Sequence, residues 1–277
     1  REFLDHFSRY GGKRMRPALL FLFGRALGEV DEGHIKVAAA AELVHVATLI
    51  HDDILDEAAI RRQRTTVNRL FGNERAVLLG DWVFTKAFEI VSRMEDARIM
   101  QRLVTTSREV CQGEMLQICH RCDFAMGEER YLELVRMKTG ALFAFCCEMG
   151  AYLSGVKGPL LEACRRYGEN LGVAFQIVDD CLDVSGREDV VGKSLGTDLA
   201  KGKMTLPILR ALDLLDGGER RTLETILAGD ARKDEVLQRP EGVRAVEYSR
   251  EKAKTFTDEA KACLEAIDGR PLRRQME

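Results

Sequence analysis

The stretch AAAAELVHVATLIHDDILD, residues 38–56, decides how this chain is read. As a helix it is apolar almost all round, which places it at the centre of a bundle rather than on a surface. Yet it ends on three aspartates, Asp52, Asp53 and Asp56. Residues four apart share a helical face, so Asp52 and Asp56 project together with Asp53 beside them. Three like charges there repel one another unless a divalent cation sits among them. Magnesium takes such carboxylate oxygens and completes its shell with water and phosphate oxygens.

A second copy lies farther along. FQIVDDCLDV, residues 175–184, carries Asp179, Asp180 and Asp183 after another apolar approach. One such cluster is as a rule a solvated helix end; two copies inside apolar helices point to a metal site, with the helices facing each other in a bundle.

The rest of the chain supports that architecture. Helical periodicity covers residues 17–28, 37–56, 73–94, 97–117, 128–153, 159–184, 206–215 and 245–267, and no strand alternation is convincing. Only five prolines interrupt 277 residues. This predicts an all-α bundle forming one domain over residues 1–277, with residues 119–127 and 229–242 as its mobile surface segments. The hydrophobic share is 45% and the net charge is −3, from 42 basic and 45 acidic residues. That balance gives no footprint for nucleic acid, and no run reaches the roughly 20 apolar residues of a membrane span. Eight scattered cysteines read as reduced thiols. A cytoplasmic protein with no transmembrane segment is expected. The start on Arg1 predicts that one or both termini are incomplete.

Basic residues recur beside glycines and helix ends: Lys13, Arg14 and Arg16 in GGKRMRP, Arg61 and Arg62 after the first aspartates, Lys138 in RMKTG, and Lys193 and Lys203 in GKSLGTDLAKGK. Lysine and arginine next to metal-binding carboxylates form a phosphate site. Together the set suggests two diphosphates, one held through metals and one through basic side chains.

In that order GGKRMRP, HDDILDEAAIRR, KTG, FQIVDDCLD and GKSLGTDLAKGK resemble the trans-polyprenyl diphosphate synthases, the isoprenyl chain-elongating enzymes, over residues 11–207. The resemblance implies a bundle of mostly antiparallel helices around a deep central cavity, a homodimer, and three Mg2+ per active site. It implies that Asp52, Asp56 and Asp179 are direct metal ligands, with Asp53, Asp180 and Asp183 as further ligands or water-mediated partners. Arg61, Lys138 and Lys193 would grip the allylic diphosphate and Lys203 would close over it. Lys13, Arg14, Arg16, His45 and Arg62 would hold isopentenyl diphosphate, although a lone histidine on an apolar helix is more often a satisfied core residue. Thr139 and Gln176 would stabilise a nearby carbocation. Gln63 stands where the family usually has glycine, which bears on that loop's conformation.

The chemistry follows from the charges. Stabilising the departing diphosphate ionises the allylic carbon–oxygen bond, and isopentenyl diphosphate attacks the carbocation. The proton then passes to the released diphosphate, since no dedicated base is evident. In the family, bulky residues four and five positions before the first aspartates stop the chain short. Here Thr48, Ala47 and Val44, then Ala41 and Ala40, are all small or non-aromatic. Each helical turn is about 5.4 Å, so this stack predicts a deep tunnel and a product of six or more isoprene units. Met115, Leu116 and Ile118 are candidates for its floor. Competing readings are a short-chain synthase, a silent regulatory subunit, a cyclase or head-to-head synthase, a metal-independent lipid binder, and a zinc or redox site at the CHRC of residues 119–122. Two intact aspartate motifs argue against silence, and GGKRMR favours elongation over cyclisation.

Overall fold

A computed structural model describes residues 13–61, 64–185, 197–228 and 240–267. Its elements are α1 (Met15–Leu27), α2 (Glu32–Leu55), β1 (Ile60–Arg61), β2 (Arg64–Thr65), α3 (Val67–Phe71), α4 (Asn73–Ser92), α5 (Ala97–Cys119) and α6 (Glu128–Val135). A π-helical turn, Arg136–Gly140, leads into α7 (Ala141–Leu153), α8 (Pro159–Ser185), α9 (Thr197–Ala200), α10 (Leu206–Asp213), α11 (Gly217–Ala228) and α12 (Pro240–Cys263). The all-α expectation holds. The antiparallel ribbon pairs Ile60 with Thr65 and Arg61 with Arg64, too short a ladder to leave alternation in the sequence.

The packing resolves into two compact units, Arg1–Ser107 with Leu142–Arg165 and Ala266–Glu277, and Arg108–Ala141 with Arg166–Glu265. No linker marks the division, because α5 and α8 each give residues to both units.

In the first unit, Pro17 sits in the first turn of α1 and the Gly28 N–H closes its end on the Gly24 carbonyl at 2.9 Å. Asp31 then starts α2 with a reciprocal cap. Its carboxylate accepts the His34 N–H at 3.1 Å, and His34 Nδ1 accepts the Asp31 N–H at 3.2 Å. This cap starts α2 ahead of residue 37, where the apolar period alone would begin it. Ala47 and Ile50 of α2 pack with Val67, Ala76 and Val83. Gly80 lets α4 come close, since a Cβ there would lie 2.2 Å from His51 Nε2. By length and hydropathy alone α2 could cross a membrane, which corrects the expectation that no segment has those dimensions. Val37, Ala40, Val44 and Ala47 are fully buried inside the protein, so this apolarity goes into packing.

The second unit is built around Tyr131 and Val135 of α6, Val173 and Ile177 of α8, and Leu206 and Ile208 of α10. The helix expected over residues 128–153 is broken into α6, the π turn and α7. Gly113 of α5 faces that turn, where a Cβ would come 2.6 Å from the Lys138 backbone nitrogen. α11 was not expected. Its cap is Asp216, whose Oδ1 accepts the Gly218 and Glu219 N–H groups at 3.0 Å each, and the glycine pair beside it reads as a breaker in the sequence. Of the two expected surface segments, residues 120–127 form turns and irregular chain after Cys119 ends α5; residues 229–239 lie outside the described residues, and 240–242 instead begin α12. No disulfide joins the eight cysteines, all of them among the described residues, and Cys146, Cys147, Cys164 and Cys181 are buried.

Candidate active site

The first aspartates occupy the last turn of α2, which carries no basic residue. A helix C-terminus is the negative end of its dipole, so charge of the same sign is stacked on it. The end is held by a Schellman closure: Ala58 N–H bonds the Asp53 carbonyl at 2.9 Å and Glu57 N–H the Ile54 carbonyl at 3.1 Å, with Glu57 at φ 49°. The Asn68 side chain donates to the Asp53 carbonyl at 3.2 Å.

The three carboxylates meet different fates. Asp53 is 2% exposed and accepts from Arg61 Nε at 2.5 Å. Burial alone would lower the Arg61 pKa, but Asp53, then Asp52 and Asp56, hold it raised. Asp52 and Asp56 stay half-exposed. In the same unit Lys13 and Arg14 are exposed, and the Arg16 guanidinium lies 4.7 Å from the Phe143 ring centroid. His45 is half-buried, and its carbonyl accepts the Thr48 hydroxyl at 2.7 Å. Thr48 is half-buried, whereas Val44 and Ala47 are fully buried. Arg62 and Gln63 lie outside the described residues.

The second unit repeats the placement. Asp183 lies in the last turn of α8, which again has no basic residue, and Asp179 and Asp180 stand one turn before it. Asp179 is half-exposed. Asp180 is 3% exposed, accepting the Tyr131 hydroxyl at 2.6 Å and Gln176 Nε2 at 2.8 Å. Burial, with the charges of Asp198 and Asp179, pushes its pKa up to about 8 against the pull of those two donors. Asp183 is buried and accepts the Asp198 N–H at 3.1 Å. Lys203 is buried with its Nζ 3.4 Å from Asp198. Lys193 lies outside the described residues.

Lys138 and Thr139 stand on the π turn, a distortion frequent at functional sites. Lys138 donates to Gln117 Oε1 at 2.6 Å and pairs with Glu114, both from α5. Thr139 donates to Gln176 Oε1 at 2.9 Å. Thus Thr139, Gln176 and Asp180 form one hydrogen-bonded constellation, reached from α8 and the π turn, with Lys138 next to Thr139 on that turn. Sequence reasoning missed Tyr131, Glu114, Gln117 and Asp198. Asp198 and Lys203 share the segment TDLAKGK, which was a usable signal, but the other three give none locally.

Two helices of opposite unit membership thus each present carboxylates at their negative end. Among the described residues, no three His, Cys, Asp or Glu side chains form a preformed cage. This leaves Cys119 and Cys122 without a third ligand among those residues. Magnesium asks for less, often one or two carboxylates with waters and phosphate oxygens. The half-exposed pair Asp52 and Asp56, and Asp179, fit that demand. A model of the polyprenyl synthetase family matches residues 1–240. The chain belongs to the polyprenyl synthetase family.

Its relatives span product classes. The chain is 39% identical to a geranylgeranyl pyrophosphate synthase of Geoglobus acetivorans, over 97% of this chain and 85% of the relative. It is 33% identical to the octaprenyl diphosphate synthase of Escherichia coli, over 95% of this chain and 82% of the relative. Its structure superposes with a TM-score of 0.90 on a polyprenyl synthase from Caulobacter crescentus complexed with calcium and isoprenyl diphosphate. That match is 34% identical and covers 97% of this chain and 83% of the other. As a polyprenyl synthetase, the protein is a prenyltransferase of isoprenoid synthesis.

Proposed function

We propose that this polyprenyl synthetase is a magnesium-dependent enzyme that condenses an allylic diphosphate with successive isopentenyl diphosphates, head to tail, into an all-trans product of six or more isoprene units. The observation that carries the reading is the gathering of carboxylates toward the C-terminal ends of α2 and α8, whose last turns hold no basic residue, with Asp52, Asp56 and Asp179 half-exposed as ligands of a bound cation need to be. Asp52, Asp56, Asp179 and Asp183 are the residues proposed to hold magnesium, three ions per active site. Bound magnesium would neutralise the leaving diphosphate.

The chain's own residues do the rest. Arg61, Lys138, Lys193 and Lys203 bind the allylic diphosphate, and Lys138 arrives already oriented by Glu114 and Gln117. Lys13, Arg14, Arg16, His45 and Arg62 bind isopentenyl diphosphate. The Thr139 and Gln176 oxygens present negative dipole ends to the allylic cation, an arrangement fixed before the reaction starts. The proton lost on condensation leaves with diphosphate. Burial around Thr139 and Asp180 keeps water from the cation.

Small side chains at Val44, Ala47 and Thr48 support the long product, as does the octaprenyl synthase relative. The geranylgeranyl synthase relative favours a second reading, a shorter product of four units. A homodimer is the proposed assembly, formed through α4, where Val77, Leu78 and Trp82 leave an apolar strip exposed. Eight cysteines held as thiols rather than disulfides support a reducing, cytoplasmic setting.

The test incubates purified protein with magnesium, farnesyl diphosphate and labelled isopentenyl diphosphate, and reads product length by mass spectrometry with a chelator control. A magnesium-dependent product of six or more units is expected. Four units would keep the enzyme and discard the tunnel, and no incorporation by folded protein would discard the reading.

A further inference from the structure

Tyr131 has no place in the reaction as described, yet its hydroxyl is the buried end of a chain of hydrogen bonds that reaches the π turn. It donates to Asp180 Oδ2 at 2.6 Å, Gln176 Nε2 donates to Asp180 Oδ1 at 2.8 Å, and Thr139 Oγ1 donates to Gln176 Oε1 at 2.9 Å. All four side chains belong to one compact unit. Tyr131, Thr139 and Asp180 are buried, and Gln176 is half-buried.

A glutamine amide can turn over at little steric cost, because its oxygen and nitrogen are nearly the same size. Here only one orientation works. Turned over, Gln176 would set its oxygen against the Asp180 carboxyl and its NH2 against Thr139. As it stands, the amide oxygen takes the Thr139 hydrogen and leaves the Thr139 lone pairs directed elsewhere. The orientation therefore depends on the Asp180 carboxyl plane, and that plane is held from its other oxygen by Tyr131. The Tyr131 ring is in turn locked in the core with Leu132, Val135, Val173 and Ile177. Each oxygen of Asp180 already receives a donor from within the protein, and Asp180 is buried where Asp179 is half-exposed.

We propose that Tyr131 is a positioning residue which, through Asp180, fixes the Gln176 amide and with it the Thr139 hydroxyl, so that Asp180 serves this relay rather than metal binding. The proposal rests on the prenyltransferase reading above. It gives a buried tyrosine a kinetic role without contact to substrate.

The test compares wild type, Tyr131→Phe, Asp180→Asn, Gln176→Leu and the Tyr131→Phe/Gln176→Leu double variant as full chains. Tyr131→Phe keeps the ring and loses one buried hydrogen bond, so kcat is expected to fall about tenfold, the upper scale of one such bond. KM for both substrates is expected to stay within about twofold of wild type on the same scale. The double variant should be no slower than Gln176→Leu alone, since both break one relay. Asp180→Asn should show the same kcat loss. Its affinity for magnesium with inorganic diphosphate, read by calorimetry without turnover, should match wild type. Wild-type kcat in Tyr131→Phe, additive losses in the double variant, or a weakened magnesium–diphosphate affinity in Asp180→Asn would each overturn the relay. If Tyr131→Phe does not fold, Asp180→Asn and Gln176→Leu decide the matter by the same calorimetric and kinetic criteria. Absence of chain elongation by wild type would instead remove the functional reading on which the relay rests.

Discussion

Asp52 and Asp53 are neighbours in sequence and opposites in physical role. Asp53 is buried against Arg61, so Asp53→Asn leaves a guanidinium short of its partner and should destabilise the fold by about 1–3 kcal/mol. Asp52 is half-exposed on the negative end of α2. Asp52→Asn removes a like charge from a helix C-terminus and also part of the attraction that holds Arg61 charged, so the two effects oppose and the metal-free protein should change by less than about 1 kcal/mol. Urea unfolding of the two variants without metal checks that Asp53→Asn costs more. At Lys138 the prediction concerns rate: Lys138→Ala should lower kcat/KM by about 10²–10³-fold, as for loss of one preorganised charge stabiliser, measured with saturating magnesium. The aspartate motifs and the lysine were legible as residue types at a spacing. Which carboxylate is buried was not, because Arg61 and Tyr131 reach Asp53 and Asp180 through the folded chain.

At the scale of elements, the central helix was readable because its apolar surface and its capping residues are local. The π turn was not: its residues, RMKTG, carry an ordinary helical pattern, and the distortion coincides with the close approach of α5 at Gly113. Gly113→Ala should push against the Lys138 backbone, costing about 1–3 kcal/mol of stability and lowering kcat, measured by urea unfolding and steady-state assay. α6 and α12 are joined by an ion pair with a defined pH window. Glu128 accepts Tyr248 OH at 2.6 Å and Lys252 Nζ lies 2.6 Å away. Burial pushes the Glu128 pKa up, but the Lys252 and Tyr248 hydrogen bonds outweigh it and the net shift is down, while the bond to Glu128 raises Lys252. The lowered carboxylate stabilises above its unfolded pKa, and that contribution disappears as pH falls through its folded value. The raised lysine stabilises below its own unfolded pKa and loses its contribution as pH rises through its folded value. Glu128→Gln should therefore lower Tm at pH 7 and leave it equal to wild type in strong acid, as followed by circular dichroism.

For the whole molecule, the exposed strip on α4 carries the prediction. Leu78 is 67% exposed and Trp82, the one tryptophan of the chain, 50%. If two copies meet there, Leu78→Lys should sediment as a monomer, and wild-type tryptophan emission should shift to the red on dilution as Trp82 returns to water. A monomeric wild type at micromolar concentration would remove the dimer. By itself the sequence determined the helical class, the two carboxylate-bearing helices and the family they resemble, because each is written in short-range spacing and residue chemistry. Tertiary structure alone decided that Asp53 belongs to Arg61, that Asp180 belongs to a tyrosine 49 residues away, and that Lys138 stands on a π turn between Glu114 and Gln117. Those outcomes depend on which donors and acceptors meet in the folded chain, Arg61 from the ribbon that follows α2 and the others from separate helices, and no local pattern encodes that choice of partner.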